Sequence, residues 1–241
     1  MAGEWFVWVI AGFAVFVGAV VQGGVGFGLG LMAVPVITVL DPSVMPGAVQ
    51  IVNMSLPVFT LAAEWRGVDW RGLGFALLGR LPGSVVGAVI VTQVSTQALG
   101  VFVGTMVLVA VGVTVAAVAV PRTAPTLGAA GFVSGVTGTA TGIGGPPMAL
   151  VYQHAKGRQV RATLAMFFFL SAGQSLVILA AVDHLPGRSV LTGVLLIPFM
   201  VAGFAVSGPL RRYLDGGRVR AGILVVAALS AFVLIAQQLV R

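Results

Sequence analysis

Long apolar stretches, broken only by short polar or glycine-rich intervals, follow one another along the whole sequence. The run 99–120, for example, contains no charged residue. The apolar residues are continuous rather than alternating, which favours helices over the strands of a closed barrel. Because a helix crosses a bilayer with about 20 apolar residues, the chain has room for about eight spans. The pattern predicts an all-α integral membrane protein.

Two segments are too interrupted to form single helices. The segment 5–40 carries a glycine-rich stretch at 22–30, and the segment 127–153 carries one at 135–147 that ends in Pro146-Pro147. Each segment is predicted to be a helical hairpin with its glycine-rich stretch near the tip. The second is too short for two full spans of about 20 residues, which predicts a re-entrant hairpin. Three long apolar segments follow each hairpin.

The two hairpins open two similar halves, 1–120 and 127–241, which we interpret as transmembrane repeats of one membrane domain. Aligning the glycine motifs brings several further residues into register, namely Gly26-Phe27-Gly28 with Gly142-Ile143-Gly144, Pro82 with Pro198 and Gly87 with Gly203. The polar break 121–126 separates the halves. This order of segments predicts a duplication.

The basic residues favour halves of opposite orientation. They gather in the loops 64–72, 154–161 and 211–220 and in the break 121–126, whereas the turns 41–42 and 94–96 carry none. With inverted halves, nearly all of them fall on one side of the membrane, as Lys and Arg do on the cytoplasmic side. The sequence therefore predicts two inverted-topology repeats, each an interrupted or re-entrant hairpin followed by three transmembrane helices. Inverted repeats are typical of transporters.

Composition and charge narrow the functional classes. Hydrophobic residues make up 59% of the chain and charged residues 8%, whereas soluble domains carry about 25% charged residues. The net charge of +7 is explained by the excess of Lys and Arg in the cytoplasmic loops, so nucleic acid is not expected as a partner. Cysteine is absent, and neither a metal site nor a cofactor is expected. No acidic residue falls in mid-span, which disfavours cation transport, and no HExxH or GxSxG motif indicates an enzyme.

The hairpin tips are the predicted binding site for a small anionic solute. A helix that leaves each tip presents free N–H groups and the positive end of its dipole, and glycine lets a ligand approach the backbone. Threonine hydroxyls in the second tip add donors. The alternative is that these glycines serve helix packing alone, as expected for 83–87. The candidate residues are Gln22, Gly24, Gly26 and Gly28 in the first tip and Thr139, Thr141, Gly142, Gly144 and Gly145 in the second.

Isolated polar residues inside apolar segments are further candidates. Arg80 lies within a span, where it either pairs with the anion or extends to the cytoplasmic interface. Asn53 and Gln174 are the preferred uncharged candidates, with Gln50, Ser171 and Ser175 as others. For each uncharged residue, interhelical hydrogen bonding is the alternative.

The glycine motifs also resemble a known family. The stretches 21–28 (VQGGVGFG) and 138–147 (GTATGIGGPP) are similar to the paired motifs of the TauE/SafE (sulfite exporter) family, and the resemblance covers the whole chain. It implies transport of sulfite, sulfonates or related organosulfur anions across a bacterial-type inner membrane. A permease is the favoured hypothesis and a passive anion channel the alternative. Expected partners are the anion, the lipid bilayer and a second copy of the chain in a homodimer.

Overall fold

The computed structural model describes residues 2–116, 120–214 and 217–240, and within these ranges the chain is helical and has no strand. The first half contains α1 (Ala2–Val25), α2 (Leu29–Leu40), α3 (Gly47–Glu64), α4 (Trp70–Gln93) and α5 (Thr96–Ala116). The second half contains α6 (Ala124–Thr141), α7 (Gly145–Tyr152), α8 (Gly157–Ala181), α9 (Gly187–Leu214) and α10 (Gly217–Val240). The predicted all-α class is confirmed.

Helices α1 and α2 form one hairpin, and α6 and α7 form the other. The breaks fall at 26–28 and 142–144, the positions that the glycine motifs predict. Gly26, Gly28 and Gly142 have φ values of 97°, 135° and 83°, which favour glycine because a side chain there would be strained. The arm α7 has 8 residues and spans about 12 Å, too short to cross a hydrocarbon core of about 30 Å.

Four helices of the described chain are long and apolar enough to cross a bilayer. They include the residues 70–93, 97–116, 157–181 and 187–208, and shorter apolar helices cover 8–24, 29–40 and 224–239. The chain is therefore a multi-pass membrane protein. The predicted number of about eight spans exceeds the four helices that meet these criteria.

The helices pack in pairs that join the two halves. Helix α4 packs along α6, α1 along α9, α3 along α8 and α5 along α10. Glycines permit the closest of these approaches, since a side chain on Gly79 or Gly83 would collide with the α6 backbone at Gly128 or Phe132. The packing role predicted for 83–87 is confirmed.

Ion pairs join the halves at the two ends of α3. Near its start, Arg188 lies 2.8 Å from Asp41. At its other end, Arg161 lies 2.7 Å from Glu64, and Arg122, in the break between the halves, lies 3.8 Å from Asp69. We call this second region, formed by 64–72, 121–126 and 152–163, the basic end. The side chains of the arginine-rich loop 211–220 lie outside the described residues.

Candidate functional site

A small polar cavity lies where the two hairpin tips meet. Its volume is about 40 Å³, enough for roughly three water molecules at about 10–15 Å³ each, which is the scale of a small oxyanion. Its walls come from both hairpins, including their breaks, and from α3, α4 and α8. The polar residues and tip glycines in its lining include Gln22, Gly28, Gly30, Gln50, Asn53, Arg80, Ser134, Gly138, Gly142, Gly144, Gly145 and Ser171.

The two tips touch because glycine stands at each point of contact. A methyl group on Gly30 would lie 3.0 Å from the carbonyl oxygen of Gly142. One on Gly145 would lie 3.5 Å from Cβ of Phe27. A residue larger than glycine at position 30 would therefore press on the backbone of the second tip, whereas the approach of Gly145 to Phe27 is an ordinary van der Waals contact.

The first tip presents the start of α2 to the cavity. Gln22, in the last turn of α1 and 7% exposed, accepts a hydrogen bond from the Leu29 N–H through Oε1 at 3.1 Å. This contact folds the tip back on itself and satisfies the first amide of α2. Gly30 and Leu31 follow in the first turn, where helical N–H groups lack an intrahelical acceptor, and both line the cavity. The first tip therefore offers backbone donors and a positive helix end.

The second tip is fixed by side chains around it. The Thr141 hydroxyl accepts from the Ile143 N–H at 3.1 Å, and the Ser134 hydroxyl donates to the Gly144 carbonyl at 2.6 Å. From α3, Gln50 Nε2 donates to the Gly138 carbonyl at 2.6 Å and Asn53 Nδ2 to the Gly142 carbonyl at 3.0 Å. Each amide nitrogen has two hydrogens, so one N–H of each side chain is left after this bond.

Arg80 places a positive charge in the cavity wall. The side chain is 1% exposed. Nη1 donates to the Ser134 carbonyl at 2.7 Å, and Nη2 donates to the Ser171 carbonyl at 3.0 Å and to the Ser175 hydroxyl at 2.7 Å. Its Nε is buried without a hydrogen-bond partner. The interpretation that Arg80 extends to the interface is therefore wrong, because α6 and α8 hold it inside the protein.

An uncompensated cation defines the electrostatics of the site. Among residues whose side chains the structure describes, Arg80 is the one buried charged group. A buried charge is costly unless it is paired, and its contacts here are to uncharged carbonyls, a hydroxyl and the face of Phe167, 5.8 Å away. An anion in the cavity that Arg80 lines would balance this charge. No group of potential metal ligands occurs among the described residues.

The structure brings together nine of the fifteen candidate residues named from the sequence. The residues that line the cavity are Gln22, Gly28, Gln50, Asn53, Arg80, Gly142, Gly144, Gly145 and Ser171. The residues outside its lining are Gly24, Gly26, Thr139, Thr141, Gln174 and Ser175.

Two of these outlying residues are threonines that α6 and its neighbour already use. The Thr139 hydroxyl bonds to the Ser175 hydroxyl at 2.9 Å, and Thr141 donates to the Thr137 carbonyl at 2.7 Å. Gln174 Nε2 is buried but without a partner. Gly26 borders a separate, smaller cavity. Threonine side chains in helices commonly bond to the carbonyl four residues earlier, as Thr141 does, whereas the Thr139 hydroxyl is engaged by α8.

Several cavity residues were not singled out by sequence reasoning. Ser134 holds both Arg80 and the second tip, and Phe167 and Phe168 form the apolar wall. A serine amid small residues, one helical turn before Gly138, was the available signal for Ser134. Nothing in the pattern distinguishes the two phenylalanines from lipid-facing ones.

Together the fold and the cavity define a multi-pass helical membrane protein with an internal cationic site. The chain belongs to the sulfite exporter TauE/SafE family, whose sequence model matches residues 10–234. It is 27% identical over 159 residues to a protein from Cupriavidus necator named "Probable sulfite/organosulfonate exporter TauE". The match covers 61% of this chain and 62% of that protein's length. No solved structure matches the chain. The resemblance seen in the glycine motifs is confirmed.

Proposed function

We propose that this protein is a permease that carries sulfite, a sulfonate or a related small sulfur anion across the inner membrane. The observation that supports this most is the buried Arg80, which lines the cavity where both hairpin tips meet and which has no anionic partner among the described residues. Membership of a family described as sulfite exporters supports the substrate class. The relative named as a sulfite/organosulfonate exporter points to the same anions.

The proposed binding mode uses the donors that the cavity retains. A sulfur oxyanion accepts from Arg80 Nε, from the amides that begin α2 at Gly30 and Leu31, and from the second N–H of Asn53. Gly142, Gly144 and Gly145 let the second tip approach the anion closely. An arginine bond to an anion is roughly twice as strong as a neutral hydrogen bond, so the charge selects anions while the amides orient them.

We further propose that residues 1–120 and 127–241 are inverted repeats that rock against each other. Three features support this proposal. The breaks at 26–28 and 142–144 occupy equivalent positions, the packing of α1 on α9 mirrors that of α6 on α4, and α3 and α8 run in opposite directions between the ion pairs at their ends. Rocking of repeats around a fixed site is the usual transport cycle of such folds. A homodimer stays a prediction that cross-linking in membranes tests.

Substitution at the second tip tests the site. A side chain on Gly144 would approach Ser134 Oγ to 2.7 Å and displace the residue that holds Arg80. We expect Gly144→Val to abolish uptake of labelled sulfite or sulfonate in proteoliposomes while the protein still inserts. The matched control is Gly74→Val, because nothing lies within 4 Å of a methyl group on Gly74. Unchanged uptake by Gly144→Val would remove the substrate from the tips.

Counterflow separates the permease from the passive channel. A carrier loaded with unlabelled anion accumulates labelled anion transiently and saturates with concentration. A channel shows neither behaviour. If neither counterflow nor saturation is observed, the channel is favoured over the proposed permease.

A further inference from the structure

A second, smaller cavity lies beside the central one, on the side of Arg161 and the basic end. Its volume is about 10 Å³, roughly one water molecule. Leu56, Thr60 and Arg161 line it, and Gln22 belongs to the lining of both cavities. The two spaces therefore meet at one side chain. We interpret the smaller one, called the passage below, as a closed route from the central cavity toward the basic end.

An ion pair between the halves stands beside this passage. Arg161 in the second turn of α8 binds the carboxylate of Glu64, the last residue of α3, through two nitrogens. Nη2 lies 2.7 Å from Oε1, and Nε lies 3.1 Å from Oε2. The side chains of Arg161 and Glu64 are 25% and 15% exposed. The arginine stem also packs against the first tip, since a methyl group on Gly26 would lie 3.6 Å from Arg161 Cγ.

The chemistry of this pair matches that of the proposed substrate. A guanidinium binds carboxylates and other multi-oxygen anions in the same two-pronged manner, and a sulfonate presents comparable oxygens. We propose that Arg161 is a second anion subsite, at the basic-end mouth of the passage, and that Glu64 occupies it in the closed state. This inference rests on the proposed function. A sulfur anion that travels through the passage displaces Glu64 from Arg161, which separates the ends of α3 and α8 and opens the mouth.

The ion pair at the opposite end of the protein provides a matched control. Asp41 and Arg188 also join the two halves, at 2.8 Å, but the Arg188 side chain is 73% exposed. The cavity beside them shares no lining residue with the central cavity. Neutralising Asp41 therefore removes an ion pair between the halves without touching the passage.

The absence of cysteine from the chain allows a direct accessibility test. Thr60→Cys places a single thiol in the passage, and its modification in membranes is followed with two methanethiosulfonate reagents, one bearing a sulfonate and one a quaternary ammonium. We expect Glu64→Gln to accelerate modification by the sulfonate reagent about two- to fivefold, the scale of a lost partly exposed ion pair. Glu64→Gln should accelerate modification by the ammonium reagent to a smaller extent, and Asp41→Asn should leave the rates of both reagents unchanged.

Transport kinetics provide the second arm. In proteoliposomes, Glu64→Gln should lower the KM for the sulfonate, because the competing carboxylate is gone, and Arg161→Gln should raise it. If Glu64→Gln does not fold, Arg161→Lys, which keeps the charge but loses the two-pronged contact, should also accelerate modification of Thr60→Cys. Equal modification rates in the Glu64 and Asp41 variants would overturn the subsite.

The two proposals fail in different ways. The subsite alone would be overturned by the following combination. The wild type takes up sulfonate normally, Arg80 variants lose uptake, and Glu64→Gln and Arg161→Gln leave the KM unchanged. Absence of sulfonate uptake and binding by the wild-type protein would overturn the proposed function, and the subsite with it.

Discussion

The two hairpin tips carry similar glycine motifs but contribute different chemistry to the cavity. In the first tip, the start of α2 keeps N–H groups at Gly30 and Leu31 after Gln22 has satisfied Leu29. In the second, Pro146 and Pro147 occupy the first turn of α7 and lack N–H groups. The first tip is thus the richer source of backbone donors.

The second tip compensates through the side chains that surround it. Ser134, Gln50 and Asn53 fix its carbonyl groups, and Ser134 also orients Arg80. A similar backbone break therefore exposes amide donors in one half and forms a rigid support for a cation in the other. Similar glycine motifs do not imply equal contributions to the cavity.

Removing the positive charge of Arg80 should have the largest effect on transport. Arg80→Met deletes the charge supported by the second tip, and loss of a buried charged contact costs about 2–5 kcal/mol, or at least about 30-fold in anion affinity. We expect uptake in proteoliposomes to be lost. Arg71→Met, at an exposed position of the basic end, serves as the control and should transport normally. Uptake by Arg80→Met at wild-type affinity would transfer the anion site to the first tip alone.

The next test separates capping from electrostatics in the first tip. Gln22→Glu keeps an oxygen that accepts from the Leu29 N–H but adds a negative charge to the cavity wall. We expect thermal stability close to that of the wild type with uptake reduced about tenfold or more, because a like charge repels the anion. Gln22→Leu should have the opposite effect, with lower thermal stability and a smaller loss of uptake, since an unpaired buried N–H costs about 1–3 kcal/mol of stability. Equal uptake by both variants would show that the charge of the wall is irrelevant.

A smaller effect is expected from the supports of the second tip. Asn53→Leu leaves the Gly142 carbonyl without its 3.0 Å donor and removes one proposed ligand of the anion. We expect at least about tenfold weaker anion binding by isothermal titration, in line with the loss of about 1.5–3 kcal/mol for a hydrogen bond to a charged group. Ser55→Ala, whose hydroxyl bonds within its own helix to Ile51, is the matched control on α3. Asn53→Leu binding as tightly as Ser55→Ala would exclude Asn53 from the site.

The smallest effect is predicted for Gln174. Its Nε2 is buried without a partner and lies outside the cavity lining, so Gln174→Leu removes an unsatisfied donor rather than a ligand. We expect unchanged uptake and a melting temperature equal to or above that of the wild type. A loss of uptake at normal stability would place Gln174 on the anion's route.

The location of both backbone breaks could be predicted from the sequence, whereas most of the donors around them could not. Glycines dense enough to stop a helix mark 26–28 and 142–144 directly, because conformations with positive φ are strained for other residues. The hydroxyl of a threonine carries no such mark. Thr139 and Thr141 look like free donors in the sequence, but the packing of α6 and the bond to the preceding turn decide their partners.

Arg80 illustrates the same limit. Its position in an apolar segment indicated either that it pairs with the anion or that its side chain extends to the cytoplasmic interface. Only the packing of α6 against α4 distinguishes these two possibilities. Gly138 permits that approach, since a methyl group there would lie 3.1 Å from Nη1. The residues that hold Arg80 come from α6 and α8, in the other half of the chain. Contacts of that kind depend on how the halves pack, which local patterns do not encode.

Locating the bound anion tests the central claim most directly. A bromine-labelled sulfonate, bound to the purified protein and located by anomalous diffraction, marks the site without relying on transport. The account predicts a single bromine position beside the central cavity, with the sulfonate oxygens against Arg80 Nε and the first turn of α2. Bromine density only at other positions, with this cavity unchanged at saturating sulfonate, would contradict it.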